Sequence, residues 1–263
     1  MNIFFASALI LAIYMTILFV FAVIKRDNSI ADIGYGFGFI LITSFTFFYQ
    51  DITPSHRSII VSICILFWGT RLMYRIGKKN WNKAEDFRYK AWRTEWQKKG
   101  EVYLLLRSFI QVFVLQGIII YLVVLPGLLG NTMQIDTMKW YNYAGVVLWL
   151  TGFLFEMIGD LQLDKFLKRK DLGRERAKIM KTGLWKYTRH PNYFGESLQW
   201  WGLAFVCLFG VQNSLIAFVS PILITYLLLY VSGVPLLEKR FAGDEEWEEY
   251  KKKTNVFVPG PQK

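Results

Sequence analysis

The sequence of 263 residues has little cysteine: Cys64 and Cys207 are the whole complement, and both fall inside apolar runs. A disulfide scaffold and a CxxC metal or redox motif are therefore excluded. Also missing are a Ser/Gly-rich linker, a low-complexity tract and an internal repeat of solenoid or transporter type, so one bundle spanning 1–263 is the economical organisation. The N-terminal run lacks a basic leader and a convincing cleavage site before Lys25 and Arg26, and reads as a retained helix. Acidic charge is the minority sign, with 20 Asp and Glu against 31 Lys and Arg for a net charge of +11.

Apolar residues, by contrast, are abundant at 54% and come in long runs rather than in alternation. The bilayer is the natural solvent for such runs. Stretches of roughly 20 apolar residues, enough to cross about 30 Å of hydrocarbon, lie near residues 3–24, 31–49, 58–77, 103–129, 141–162, 193–211 and 214–236. An all-α integral membrane protein of seven transmembrane helices is expected. The basic stretches from Lys78 to Gly100 and from Lys165 to Arg189 contrast with Gly130 to Tyr141, which holds one lysine. By the positive-inside rule this puts the N-terminus outside and the C-terminus in the cytoplasm, as an odd number of crossings requires. The segment from Lys78 to Gly100 mixes charge with Trp81, Trp92 and Trp96, a composition suited to an interfacial helix or simple anchor. Its EDFRY core, Glu85 to Tyr89, is more than an anchor requires.

Intramembrane acids are costly and mark sites by default. Glu156, Asp160 and Asp164 recur at i, i+4 and i+8 and so share one face of the fifth span. A packing cluster or a cavity-facing stripe is the plainer account of them. The segment TGLWKYTRHPNYFGESLQWWG, from Thr182 to Gly202, begins as loop and becomes helix at Pro191, with Arg189 or His190 near the cap. A helix start with Lys178, Lys181, Lys186, Arg189 and His190 before it attracts phosphate or carboxylate. These cations also suit an ordinary positive-inside belt. Glu196 sits one turn into the membrane beside that anion site and needs hydrogen bonds from a ligand amide or amine, and Asn192 offers both a donor and an acceptor to the same group. The pairing favours nicotinamide at the inner end and phosphates at the cytoplasmic end. The charged tail after Leu237 reads mostly as a solvated face, with Glu238 placed to close the site or to snorkel.

Asp160, Asp164 and the stretch GLWKYTRHPNYFGESLQWWG together resemble the C-terminal half of the steroid 5-alpha-reductase family, in the form of a bacterial membrane member with a DUF1295-type C-terminal region. The likeness is clear over roughly 145–260; before that, WGTRLMYR from Trp68 to Arg75 and EDFRY look like bacterial members. The resemblance implies a seven-helix bundle reducing carbon–carbon double bonds with NADPH. It implies a cofactor set of Asp160, Asp164, Lys168, Lys178, Tyr187, Arg189, His190, Asn192, Tyr193, Glu196 and Glu238, with Arg71 from the earlier motif. Asn192 and Glu196 would hold the nicotinamide end, and Lys178 stands where a phosphate-binding arginine is usual. Glu238 departs from the family's histidine-rich exit of the last helix, and Trp68 stands where a tyrosine is expected.

For the groups that polarise the substrate carbonyl, the second span offers Asp32 and Tyr35 on one face, with Tyr74 a third candidate. Gly34, Gly36 and Gly38 would leave room for a flat ligand; alternatively they serve helix packing while Asp32 caps a helix beginning at Ile33. The expected reaction is NADPH-dependent reduction of a conjugated enone in a steroid-like or isoprenoid lipid drawn from the bilayer. Residues 1–130 would form the substrate half and 141–263 the cofactor half. Neither metal nor nucleic acid is expected, and a bacterial inner membrane with the cofactor site facing the cytoplasm is the expected location. RHPNYFG also resembles the RHPxYxG element of isoprenylcysteine and phospholipid methyltransferases, which makes S-adenosylmethionine the alternative cofactor. A transporter using Glu156 and Asp160 as an ion relay is disfavoured by the absence of repeats.

Overall fold

The computed structural model describes residues 2–49, 53–80, 83–133 and 137–262. Within them the chain is helical, with one isolated bridge between Thr188 and Asn255. Its helices are α1 (Ile3–Lys25), α2 (Ile30–Tyr49), α3 (His56–Asn80), α4 (Phe87–Gln97), α5 (Glu101–Val123), α6 (Leu125–Asn131), α7 (Trp140–Asp171), α8 (Pro191–Cys207), α9 (Ser214–Phe241) and α10 (Glu245–Lys253). Among the described residues six of these, α1, α2, α3, α5, α7 and α9, are long and apolar enough to cross a membrane, which makes this a multi-pass integral membrane protein.

The count differs from the seven expected, and the difference lies at 193–211. There α8 stops at Cys207 after 17 residues, and the chain turns through Phe209 and Asn213, both with left-handed backbone. Seventeen residues rise about 25 Å, at the lower limit of what crosses the hydrocarbon. The six candidate spans leave open the orientation argued from the basic loops. Trp81 lies outside the described residues.

The chain forms two compact units, Met1–Thr137 with Phe209–Ile216, and Met138–Leu208 with Ala217–Lys263. In the first, α2 and α3 meet backbone to backbone: a Cβ on Gly36 would lie 2.7 Å from the Gly69 carbonyl oxygen. Gly34 is closed off by Leu18 and Tyr14, and Gly38 by Ile120. All three glycines are thus consumed by packing, and the flat-ligand slot expected from them is filled. Buried Asn131 ties α6 to its neighbours, accepting from Ser58 and Ser62 at 2.8 and 2.9 Å and donating to Thr43 O and Thr46 Oγ1 at 3.1 and 2.8 Å. Interhelical amide bonds of this kind stabilise packing where lipid offers no hydrogen-bonding alternative.

The second unit is organised by α7 and α8. Gly145, Gly152 and Gly159, spaced by seven, face Gly202, Gly195 and Pro191 in antiparallel order, and a Cβ on Gly195 would lie 2.4 Å from Glu156 N and 2.5 Å from Gly152 O. Contact between backbones brings side chains on either flank within hydrogen-bond reach. Pro191 occupies the first turn of α8 with His190 as its cap residue, as its missing N–H and fixed φ favour.

Candidate functional site

The acids of α7 divide by depth: Glu156 and Asp160 are buried, while Asp164 is exposed at the polar end. Each buried acid meets an amide of α8. Gln199 Nε2 donates to Glu156 Oε2 at 2.6 Å, and Asn192 Nδ2 donates to Asp160 Oδ1 at 3.2 Å. The pairs run in opposite sequence directions, as antiparallel helices in contact at Gly152 and Gly195 dictate. Three buried polar atoms of this region, Asn192 Oδ1, Gln199 Oε1 and His190 Nδ1, have no hydrogen-bond partner among the described residues. Such atoms are costly unless a ligand or water meets them. Glu196 is half-buried one turn beyond Asn192, and Tyr193 is stacked on His190 with ring centroids 5.5 Å apart.

Arg189 and His190 are held from below. Glu238 Oε1 accepts from Arg189 Nε at 2.9 Å and lies 3.1 Å from His190 Nε2. Arg189 Nη1 also donates to the carbonyls of Lys251 and Thr254 at 3.1 and 2.7 Å. The tail then runs beside the motif. Arg189 N donates to Asn255 O, Thr188 Oγ1 to Phe257 O, and Gly260 N to Tyr187 O. Tyr250 donates to the Trp185 carbonyl, and the Trp185 indole donates to Gly159 O at 3.1 Å.

The tail expected to be mostly solvated is therefore the brace of the RHP segment, with Trp247, Tyr250 and Phe257 buried. Their signal was in the sequence: an aromatic pair at i and i+3 within the charged run EEWEEYKKK is the one apolar face of α10. Tyr187 itself is exposed, as are Lys168 and Lys178. Lys178 Nζ lies 3.0 Å from Asp244. That hydrogen bond raises the lysine's pKa and, with backbone N–H groups of α10, lowers that of Asp244.

In the first unit the polar centre is the turn between α1 and α2 and the EDFRY segment. Helix α2 begins at Ile30, so Asp32 lies within its first turn and is not the cap. Its carboxylate accepts from Tyr89 Oη at 2.6 Å and from Arg88 Nη2 at 3.0 Å. Glu85 pairs with Arg93 at 2.7 Å and accepts from Asn28 N, while Ser29 Oγ accepts from Asp86 N. Asn28 Nδ2 donates to Ser108, the first residue of a π-helical turn, Ser108–Val114, within α5.

Burial, then the adjacent Asp32 charge, raises the Tyr89 phenol well above its ordinary value and keeps it a hydrogen-bond donor. Tyr89 was not among the residues expected at a site. Tyr35 is half-buried, edge-on to Phe39, whose ring meets Trp68; Tyr74 is exposed beneath Lys78. Arg71 is half-buried on α3 and belongs to the first unit, unlike the other cofactor candidates.

Residues 18–254 match the family described as Protein of unknown function (DUF1295). The chain belongs to the DUF1295 family. This DUF1295 protein is also similar to 3-oxo-5-alpha-steroid 4-dehydrogenase 1 of Homo sapiens, 32% identical over 120 residues that make up 44% of this chain and 40% of the relative. The protein of the same name from Macaca fascicularis is 31% identical over 115 residues, 44% of this chain and 39% of the relative. The chain thus spans about two fifths of the length of the curated relatives it matches. No solved structure matches it significantly.

Proposed function

We propose that this membrane protein reduces a carbon–carbon double bond of a conjugated enone in a steroid-like or isoprenoid lipid, with NADPH as reductant. The observation that carries the reading is Asn192: its Nδ2 is spent on buried Asp160, which leaves its buried Oδ1 as an unmet acceptor. A carboxamide N–H₂ such as that of nicotinamide satisfies it, and Glu196 one turn on can accept the second proton. The residues present therefore fit the cofactor. When bound, NADPH supplies a hydride to the beta carbon of the enone. The likeness to 3-oxo-5-alpha-steroid 4-dehydrogenase 1 supports this chemistry.

Charge develops on the carbonyl oxygen as hydride arrives, so a fixed donor there lowers the barrier. Tyr35 and Tyr74 are the candidate donors; Tyr89 is not one, since its single proton is already given to Asp32, which also accepts from Arg88. Arg189 and His190 are engaged by Glu238, so among the residues expected to meet phosphate Lys178 is the more exchangeable, its partner Asp244 being in an exposed pair that water screens. The basic segment 165–189 supports a cytoplasmic position for this end of the second unit, in a bacterial inner membrane.

The test is thermal stabilisation of the purified protein by NADPH, NADH and S-adenosylmethionine, because a ligand that binds only the native state raises stability by RT ln(1 + [L]/Kd). NADPH is expected to stabilise, and Glu196→Gln to weaken that effect in a protein that still folds. Stabilisation by S-adenosylmethionine alone would replace the reductase reading with a methyltransferase.

A further inference from the structure

A cavity of about 450 Å³ opens in the second unit at the polar end of α7. Four cations line it, Lys165, Lys168, Arg169 and Arg174, together with Leu172 and Thr182. Arg169 lies 3.3 Å from Glu175, whereas Lys165, Lys168 and Arg174 form no ion pair among the described residues. Three uncompensated cations around one cavity are a site for a multiply charged oxyanion.

The cavity is not the Asn192 site. At 100° per residue, Lys165 and Arg169 lie about 140° and 180° round α7 from Asp160, on the face turned away from α8. That same face continues as an apolar stripe. Val147, Leu150, Leu154, Ile158 and Leu161 recur at steps of three and four, all are exposed, and Lys165, Lys168 and Leu172 carry the stripe onward.

Helix α7 has 32 residues, and about 20 suffice to cross the hydrocarbon, so its last turns project into the headgroup layer. An apolar stripe ending in a cationic cavity at headgroup depth has the polarity profile of one phospholipid. We propose that this face of α7 binds an anionic phospholipid, its acyl chains along Leu154, Ile158 and Leu161 and its phosphate among Lys165, Lys168 and Arg174. Basic pockets at membrane interfaces bind such headgroups through the same charge complementarity. A free phosphate would satisfy the cations but would leave the adjoining stripe unused, and this favours the lipid. The proposal moves Lys168 from the expected cofactor set to the lipid and otherwise stands apart from the reductase reading.

The experiment follows thermal unfolding of the whole protein in a zwitterionic detergent while one of four compounds is titrated in. These are a short-chain phosphatidylglycerol, a phosphatidylcholine of equal chain length, inorganic phosphate and NADPH. Phosphatidylglycerol is expected to raise the unfolding temperature, and neither phosphatidylcholine nor phosphate to do so at equal concentration. The triple variant K165Q/K168Q/R174Q should need roughly a hundredfold more phosphatidylglycerol for the same shift, since each cation near an anionic headgroup is worth about a fivefold change. K165R/K168R should respond like the wild type. If the triple variant does not purify, K165Q alone, with its roughly fivefold loss, decides the matter. Equal stabilisation by phosphatidylcholine would overturn the proposal, as would an unchanged response in the variants. Full stabilisation by phosphate would mean a soluble-anion site instead. Competition between NADPH and phosphatidylglycerol would assign the cavity to the cofactor and remove the lipid.

Discussion

Replacing Gly195 with alanine puts one methyl group into the contact between α7 and α8. The added carbon would lie 2.4 Å from Glu156 N, 2.5 Å from Gly152 O and 2.9 Å from Glu156 Cα. All three are backbone atoms, so no side chain can rotate away. Reaching an ordinary separation of about 3.5 Å requires the helices to part by roughly 1 Å, which forfeits a quarter to a half of each dispersion contact along the crossing. Overpacking of this kind costs about 3 kcal/mol, against which alanine's better helix propensity returns about 1 kcal/mol. The net loss is about 2 kcal/mol, or roughly 4–8 °C of unfolding temperature for a chain of this size.

The protein carries its own reporter, because Cys64 and Cys207 are its only cysteines and both are buried. A thiol-reactive fluorophore therefore reads unfolding directly in detergent. Gly77→Ala is the matched control: nothing lies within 4 Å of its added carbon, and it should hold or raise the transition. An unfolding temperature for Gly195→Ala at or above that of the wild type would refute the backbone-to-backbone contact, and with it the account of how Asn192 and Gln199 reach the acids of α7.

Glu238→Gln leaves the buried Arg189 guanidinium with neutral acceptors alone and should destabilise the second unit by roughly 3 kcal/mol; proteolysis near residues 251–260 should accelerate, and an unaltered cleavage rate would count against the brace. Tyr89→Phe removes a 2.6 Å hydrogen bond to Asp32. A loss of about 2 kcal/mol in stability is expected, with enone reduction falling only as far as the folded fraction does; an unchanged unfolding temperature would count against the bond. The Lys178–Asp244 pair predicts a pH window for the order of α10. The depressed Asp244 pKa means its contribution is complete above the ordinary carboxylate value and is lost as pH falls through the folded value, while the raised Lys178 pKa means its contribution is lost only as pH rises through its own. Hydrogen exchange in α10, corrected for intrinsic rates, should quicken at both extremes, and Asp244→Asn should flatten the acid side; protection unchanged at low pH in the wild type would contradict the coupling.

The amino-acid order by itself determined the membrane class, because a run of 20 apolar residues has one inexpensive environment, and it located the helix start from Pro191 and the acid face of α7 from periodicity. It did not show where the apolar run at 193–211 breaks, since hydrophobicity alone does not reveal that α8 ends at Cys207. Only tertiary structure decided which glycines were contacts and which were space: Gly36 and Gly195 read alike in sequence with Gly77, yet the first two touch backbone and the third touches nothing. Only tertiary structure joined Tyr89 to Asp32 across 57 residues and Arg189 to Glu238 across 49, because charge and polarity declare that a residue needs a partner without naming it. Local pattern sets what each segment must bury or satisfy. The long-range pairing that meets those demands is settled when the helices pack.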